Sequence, residues 1–236
     1  MRSIFLLALG LGLWSALPVA AQRVLLQGNV AADTAVQRTG PNRARYGHLY
    51  VGYAVALGSS SAAAPVSRAK SGELFLGWRQ KWRLSQTAAV GLGTQYSRLA
   101  YRLTQQASKQ VPTATLHNRE SLVWQQLQAE PFVRLNFGAR GNVIGRYLDL
   151  GGWGSWAFAT LHTYKDKPGA AAKTVKVTEQ GLPYAARWAY GASLRLGSGR
   201  YALVARRRFS EPWRGTAVAA WSDLPRWTVG LDFGWL

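Results

Sequence analysis

Cysteine is absent from all 236 residues, and methionine occurs once. Without thiols there is no disulfide framework, no Cys-ligated metal and no thiol nucleophile. The fold must hold by burial, hydrogen bonding and ion pairing. Acids are scarce: ten Asp and Glu face 29 Lys and Arg, a formal charge of +19. Only three histidines occur, His48, His117 and His162. There is no HExxH pair, phosphate-binding loop or dinucleotide fingerprint, so composition and motif exclude the commonest metal and nucleotide chemistries. Beyond residue 21 no apolar run approaches the ~18 residues that a membrane-spanning helix needs.

The one long apolar run opens the chain. Arg2 supplies a positive start, Ile4 to Leu13 an apolar stretch, and Val19-Ala20-Ala21 a small-residue cleavage site before Gln22. That order predicts a signal peptide at 1–21. Residues 22–45 carry Arg23, Arg38, Arg43 and Arg45 with few large apolar side chains, which predicts a flexible periplasmic lead-in. The domain is expected at 46–236. A strongly basic chain suits nucleic acid, acidic lipid or anionic sugar as neighbour. Export argues against nucleic acid among these and leaves acidic lipid or anionic sugar.

What the mature chain has in abundance is alternation, the period of a strand with two unlike faces. Leu49, Val51, Tyr53, Val55 and Leu57 share one face of the first such stretch. Leu74, Leu76, Trp78 and Trp82 share one face of the second, against Glu73, Arg79 and Lys81. In the third, Val90, Leu92 and Tyr96 face away from Gly91, Gly93 and Gln95. Leu99, Tyr101 and Leu103 then continue on the other parity, and a bulge near Ser97 is expected to absorb the slip. The fourth sets Leu127, Val133 and Leu135 against Arg134 and Asn136, with Pro131 requiring a bulge or a gap in pairing. The fifth sets Leu148, Leu150, Trp156 and Phe158 against Tyr147, Asp149, Trp153 and Ser155. The sixth sets Trp188, Tyr190 and Leu194 against Arg187 and Arg195, and the seventh sets Tyr201, Leu203 and Phe209 against Arg206 and Arg208. The chain ends on an eighth, WTVGLDFGWL, with Trp227, Val229, Leu231, Phe233 and Trp235 opposite Gly230, Asp232 and Gly234.

The connections alternate in length. Turns near 83–85, 138–142 and 197–199 are short. Connections over 58–70, 104–119, 164–182 and 210–224 are long and rich in Ser, Ala, Thr, Lys and Pro. Short turns alternating with long loops, on an even number of strands, predict an all-β, eight-stranded, antiparallel up-and-down transmembrane β-barrel. The last strand is expected to pair with the first, which leaves no sheet edge. Trp78, Trp82, Trp124, Trp156, Trp188, Tyr190, Trp227 and Trp235 fall on apolar faces, several near strand ends, where a membrane face meets water. A soluble lipocalin-like binder would turn those rings inward and carry Lys and Glu outside; the opposite faces here are Gly, Ala, Ser, Asn and Gln with scattered Arg.

The stretches GELFLGWRQKWRLSQTAAVGLGTQYSRLAY, LQAEPFVRLNF and YLDLGGWGSWAF carry a further indication. Over about residues 46 to 236 their pattern resembles the small outer-membrane β-barrel proteins of Bacteroidota, the PorT-like group. The resemblance implies an OmpA/OmpX-like eight-stranded barrel, outer-membrane localisation, and outer-membrane lipids and the barrel-assembly machinery as partners. It carries no catalytic signature. The terminal Trp-Leu departs from that group's usual terminal aromatic.

The candidate lumen residues are Glu73, Asp149 and Asp232 with Arg79, Arg134, Arg187, Arg195, Arg206 and Arg208. Eight strands enclose a space that side chains fill, and Arg buried there must be paired. A structural ion-pair network is the expectation, with an anion-lined channel as the alternative. A barrel-embedded lipid- or glycan-modifying hydrolase would need His162 beside Ser97 or Ser155 and an acid. No motif supports it, so a non-catalytic protein without cofactor is expected. Its role is to anchor surface loops for structural use or for a surface or periplasmic protein partner. Lys165, Lys167, Lys173 and Lys176 in the loop 164–182 are expected either as a solvated charged loop or in contact with outer-leaflet phosphates or anionic surface polymers.

Overall fold

The structure, a computed structural model, describes residues 40–58, 61–138, 142–169, 172–215, 221 and 223–235. The expected signal peptide and residues 22–39 lie outside the described residues. Among the described residues nine strands follow in order: β1 Arg45–Leu57, β2 Gly72–Arg83, β3 Ala88–Leu103, β4 Arg119–Phe137, β5 Arg146–Asp166, β6 Val175–Gln180, β7 Trp188–Ser198, β8 Tyr201–Arg208 and β9 Trp227–Trp235. All pairings between them are antiparallel.

Eight of these strands form a closed ring in the order β4-β3-β2-β1-β9-β8-β7-β5, shut by β4 against β5. The end strands meet as expected, from Leu49 opposite Trp235 to Leu57 opposite Trp227. Closure satisfies the backbone donors and acceptors that an open sheet would leave along its edges. The ninth strand, β6, is the surprise. The stretch 164–182 is expected as a loop, but β5 continues to Asp166 and β6 folds back on it, from Leu161 opposite Gln180 to Asp166 opposite Val175. Val175, Val177 and Thr178 favour extended backbone, and a β5 edge left free above β7 accepts them.

Short turns collect at one end of the ring, between β2 and β3, β4 and β5, and β7 and β8. The long connections collect at the other, here called the loop end. At the short-turn end residues 40–44, expected within the flexible lead-in, are tied down. The Lys81 ammonium donates to the Pro41 carbonyl at 2.8 Å, and the Asn42 amide donates to Asn142 Oδ1 at 3.2 Å.

Two irregularities decide which side chains point inward. No bulge occurs near Ser97: β3 runs in unbroken register with β2 and with β4. Odd-numbered side chains of β3 face inward along its whole length, and only their chemistry changes, from Gly91, Gly93 and Gln95 to Leu99, Tyr101 and Leu103. The apparent slip is a change of lining. The real register shift lies between β4 and β5. Gln126 opposes Ala157 and Gln125 opposes Ala159, so Phe158 is the extra residue. An extra residue reverses the parity beyond it. Tyr147, Asp149, Trp153 and Ser155 face inward below the bulge, whereas Thr160 and His162 do so above it. Pro131 has its pairing gap: Glu130 and Pro131 find no partners on β5, between Ala129 opposite Gly154 and Phe132 opposite Gly151.

Candidate functional site

The interior of the ring divides into two zones. The lower zone, toward the short turns, is charged. Arg79 lies 3.0 Å from Glu130 and 3.2 Å from Asp149. Arg134 grips Asp149 through two bonds, Nε to Oδ1 at 2.6 Å and Nη2 to Oδ2 at 2.9 Å. Arg195 pairs with Asp232. Arg206 reaches Glu73 at 3.2 Å, Gln95 at 3.0 Å and Glu130 at 3.6 Å. Every one of these residues is buried. A guanidinium out of water is tolerated only when carboxylates and rings replace its hydration. The rings are present: Arg79 sits 4.0 Å over Phe132, Arg134 3.6 Å over Tyr147, Arg206 4.6 Å over Phe75 and Arg195 5.0 Å over Tyr50.

Inward glycines make room for those rings. A Cβ on Gly197 would lie 2.0 Å from the Tyr147 ring, and one on Gly91 would lie 2.2 Å from Phe132. Gly91 and Gly197 therefore seat the Phe132 and Tyr147 rings, which in turn seat arginines. Neutral groups complete the lining. The Tyr50 hydroxyl donates to Gln95 at 2.8 Å, Gln126 donates to Ser97 at 3.0 Å, and Ser155 donates to Gln126 at 3.1 Å.

The upper zone, at the loop end, is apolar. Tyr101, Leu103, Leu122 and Trp124 from the strands meet Val66, Val111, Leu182, Trp213 and Leu224 from the long connections in one buried cluster. The loops thus fold inward and close the ring over the charged zone. Beside this plug stands a second polar cluster. His162 Nε2 lies 2.8 Å from Glu120 and Nδ1 lies 2.9 Å from Glu179. Glu120 also meets Lys109 at 2.7 Å and Gln105 at 2.9 Å. Burial alone would lower the His162 pKa, but the hydrogen bonds to Glu120 and Glu179 outweigh it and raise the value. Burial would raise Glu120, yet the bonds from His162, Lys109 and Gln105 hold it below the usual carboxylate range. Nearby, His117 Nδ1 bonds Asp166 at 2.8 Å and stacks on Tyr164 with centroids 4.2 Å apart.

Of the expected lumen residues, Glu73, Arg79, Arg134, Asp149, Arg195, Arg206 and Asp232 come together in the lower zone. Arg208 lies higher and pairs with Asp223 at 2.8 Å. Arg187 does not join them. It precedes β7, where its carbonyl accepts the Ala157 amide at 2.7 Å, and its side chain is exposed. The plug residues Leu182, Ala185 and Trp213 already occupy the interior at that level. Of the expected interfacial aromatics, Trp78, Trp82, Trp156, Trp188, Tyr190, Trp227 and Trp235 stand exposed on the outer face. Trp124 is the exception. It shares parity with Leu122 and Gln126, points inward at 6 % exposure, packs edge-on to Tyr101 and donates to the Ala186 carbonyl at 3.1 Å.

The hydrolase arrangement does not assemble. Both nitrogens of His162 are committed to carboxylates, while Ser97 and Ser155 bond Gln126. Among the described residues no group of three or more His, Asp or Glu side chains is arranged to hold a metal ion. Sequence reasoning missed Glu130, Gln95 and Tyr50. Glu130 was visible, since it shares the parity of Arg134 and Asn136. The Glu120–His162–Lys109 cluster left no local signal, because three distant segments build it. No known protein-family model matches the chain, and no curated protein matches it either.

Proposed function

We propose that this chain is a transmembrane β-barrel of the bacterial outer membrane. It is non-catalytic and carries loop-end surfaces for structural or interaction roles. Inverted polarity is the observation that carries the reading. Leu74, Leu76, Leu127, Val133 and Leu231 are 50–64 % exposed on the outer face, while Arg79 and Arg195 are 1 % exposed inside. In water, so large an apolar surface would drive aggregation; against lipid it is the stable face. The exposed rings fall at two levels. Trp78, Trp82 and Trp235 lie toward the short turns, and Trp156, Trp188, Tyr190 and Trp227 toward the loops, where Trp156 opposes Trp188 and Trp227 opposes Leu57. Two such girdles suit the two faces of a bilayer. On this reading the short turns face the periplasm and the loops face outward, in keeping with the resemblance to PorT-like barrels.

The packed charged zone under an apolar plug favours an anchor over an open channel. The doubly bonded His162 favours a structural part over a catalytic one. Partners on this reading are the outer-membrane lipids, the insertion machinery and a surface or periplasmic protein. The test is heat-modifiability. Mature protein refolded in detergent is run on SDS gels unheated and boiled, with circular dichroism alongside. A mobility shift with β-type spectra is expected. A protein that shows no shift and stays monomeric in water without detergent would refute the membrane assignment and make a soluble lipocalin-like binder the better reading.

A further inference from the structure

The outer face of β3 to β6 changes character along its height. At the girdle level the row is Tyr96, Leu127 and Trp156. Above it Arg98 lies beside Gln125. Higher still comes a row of Arg102, Ser121, Thr163 and Thr178, whose last two hydroxyls lie 3.2 Å apart. The top row is cationic throughout: Arg119 directly opposes Lys165, and Lys165 directly opposes Lys176.

Like charges placed directly across strands repel. A sheet normally sets an acid among them. The acids are at hand but on the other face: Glu120, Glu179 and Asp166 bond His162 and His117. Successive residues alternate faces, so the same strands carry cations outward and acids inward. Among the described residues, Arg98, Arg102, Arg119, Lys165 and Lys176 make no ion pair. Loop-end cations near β8 and β9 differ, since Arg208 and Arg226 both hold Asp223. A cleft of about 530 Å³ opens beside the cationic rows, with Lys70, Arg102 and Arg119 among its walls together with Glu120, whose carboxylate is held by Lys109 and His162.

We propose that this outward face, the Arg119–Lys165–Lys176 row with Arg102 and the hydroxyls beneath it, binds the phosphate-monoester headgroup of lipids in the surrounding leaflet. The inference rests on the membrane reading above. Three features select that partner. The patch stands on the same strands as the girdle row, six to eight residues from Leu127 toward the loop end, on the side where headgroups lie. Among the described residues its cations are of one sign and make no ion pair. The Thr163–Thr178 hydroxyl pair beside it, with Thr178 exposed, supplies a hydrogen bond that a phosphate oxygen accepts.

The test uses the full mature protein in phosphatidylcholine vesicles doped with phosphatidic acid, and reads the lipids retained by mass spectrometry. The patch variant carries Arg119→Gln, Lys165→Gln and Lys176→Gln. A charge-matched control carries Arg45→Gln, Arg146→Gln and Arg200→Gln at the short-turn end. Wild type and control are expected to retain phosphatidic acid over phosphatidylcholine. The patch variant is expected to lose that preference by about tenfold or more, given the attraction of each cation to an anionic surface. It keeps its gel shift, because removing repelling charges does not weaken the fold. Equal retention by all three inserted proteins overturns the proposal and leaves the membrane reading standing. Failure of wild type to insert overturns both. If soluble glucose 6-phosphate binds detergent-held protein as well as the lipid does, the partner is a free phosphosugar and the lipid assignment falls.

Discussion

Removing Asp149 puts the closed interior to a quantitative test. Its carboxylate takes two bonds from Arg134, at 2.6 and 2.9 Å, and one contact from Arg79 at 3.2 Å. All three residues are buried. In Asp149→Ala, Arg79 keeps Glu130 at 3.0 Å, but Arg134 loses its carboxylate. A buried charge stripped of its partner costs about 3–5 kcal/mol. Asp149→Asn keeps an acceptor but not the charge and should cost about 1.5–3 kcal/mol, the worth of a charge-assisted bond. The double variant Asp149→Ala, Arg134→Met removes both charges and should return to within about 1 kcal/mol of wild type. The assay is urea unfolding in phospholipid vesicles, followed by tryptophan fluorescence and by the fraction of unshifted protein on unheated gels. If Asp149→Ala costs less than about 1 kcal/mol, the pair behaves like a solvated surface bridge. The lower zone would then be a water-filled passage, and the packed interior argued above would be refuted.

Two further tests address the loop end and the face assignment. The raised pKa of His162 makes its contribution complete below the unfolded value near 6.5 and lost as pH climbs through the folded value. The lowered pKa of Glu120 makes its contribution present above the ordinary carboxylate range and lost as pH falls through the folded value. Near-ultraviolet circular dichroism of the Tyr184–Trp213–Trp221 cluster should therefore melt at a higher temperature near pH 6 than at pH 9. His162→Gln should flatten that alkaline loss; an unchanged profile would sink the assignment. Trp124→Ala should destabilise by about 3–5 kcal/mol, because it opens a cavity in the plug. Trp156→Leu, on the outer face, should change stability by about 0.5 kcal/mol or less. Comparable losses in both would contradict the inward placement of Trp124.

Alternation made the strands legible, because a period of two follows from the pleat alone and needs no tertiary information. It placed Leu74, Leu76 and Trp78 opposite Glu73 and Arg79, and it carried the ring through to the pairing of β9 with β1. Turn lengths added the hairpin order, since a short connection forces its two strands to be neighbours. Arg79, Arg134, Arg195, Arg206 and their acids were identifiable on the same ground, as charges sharing one parity.

Partnership was decided only in three dimensions. Arg79 meets Glu130 across 51 residues, and Arg206 meets Glu73 across 133. Such pairs depend on how far the strands are staggered when the ring closes, which no local pattern encodes. The bulge at Phe158 belongs to the same class. A strand cannot reveal that its neighbour is one residue shorter, so Ser97 looked like the slip and His162 gave no sign of facing inward. Arg187 and Trp124 were misassigned for a related reason. Alternation reports that two faces differ but not where a strand begins or which connection folds over its end. The loops that fill the upper zone displaced the one to the rim and enclosed the other. The sequence by itself determined the eight strands of the ring, their order and their unlike faces, because those follow from local backbone geometry; the ninth, β6, it did not. Ring closure, through stagger and packing, determined which charges pair, which rings are buried and which cations are left facing outward together.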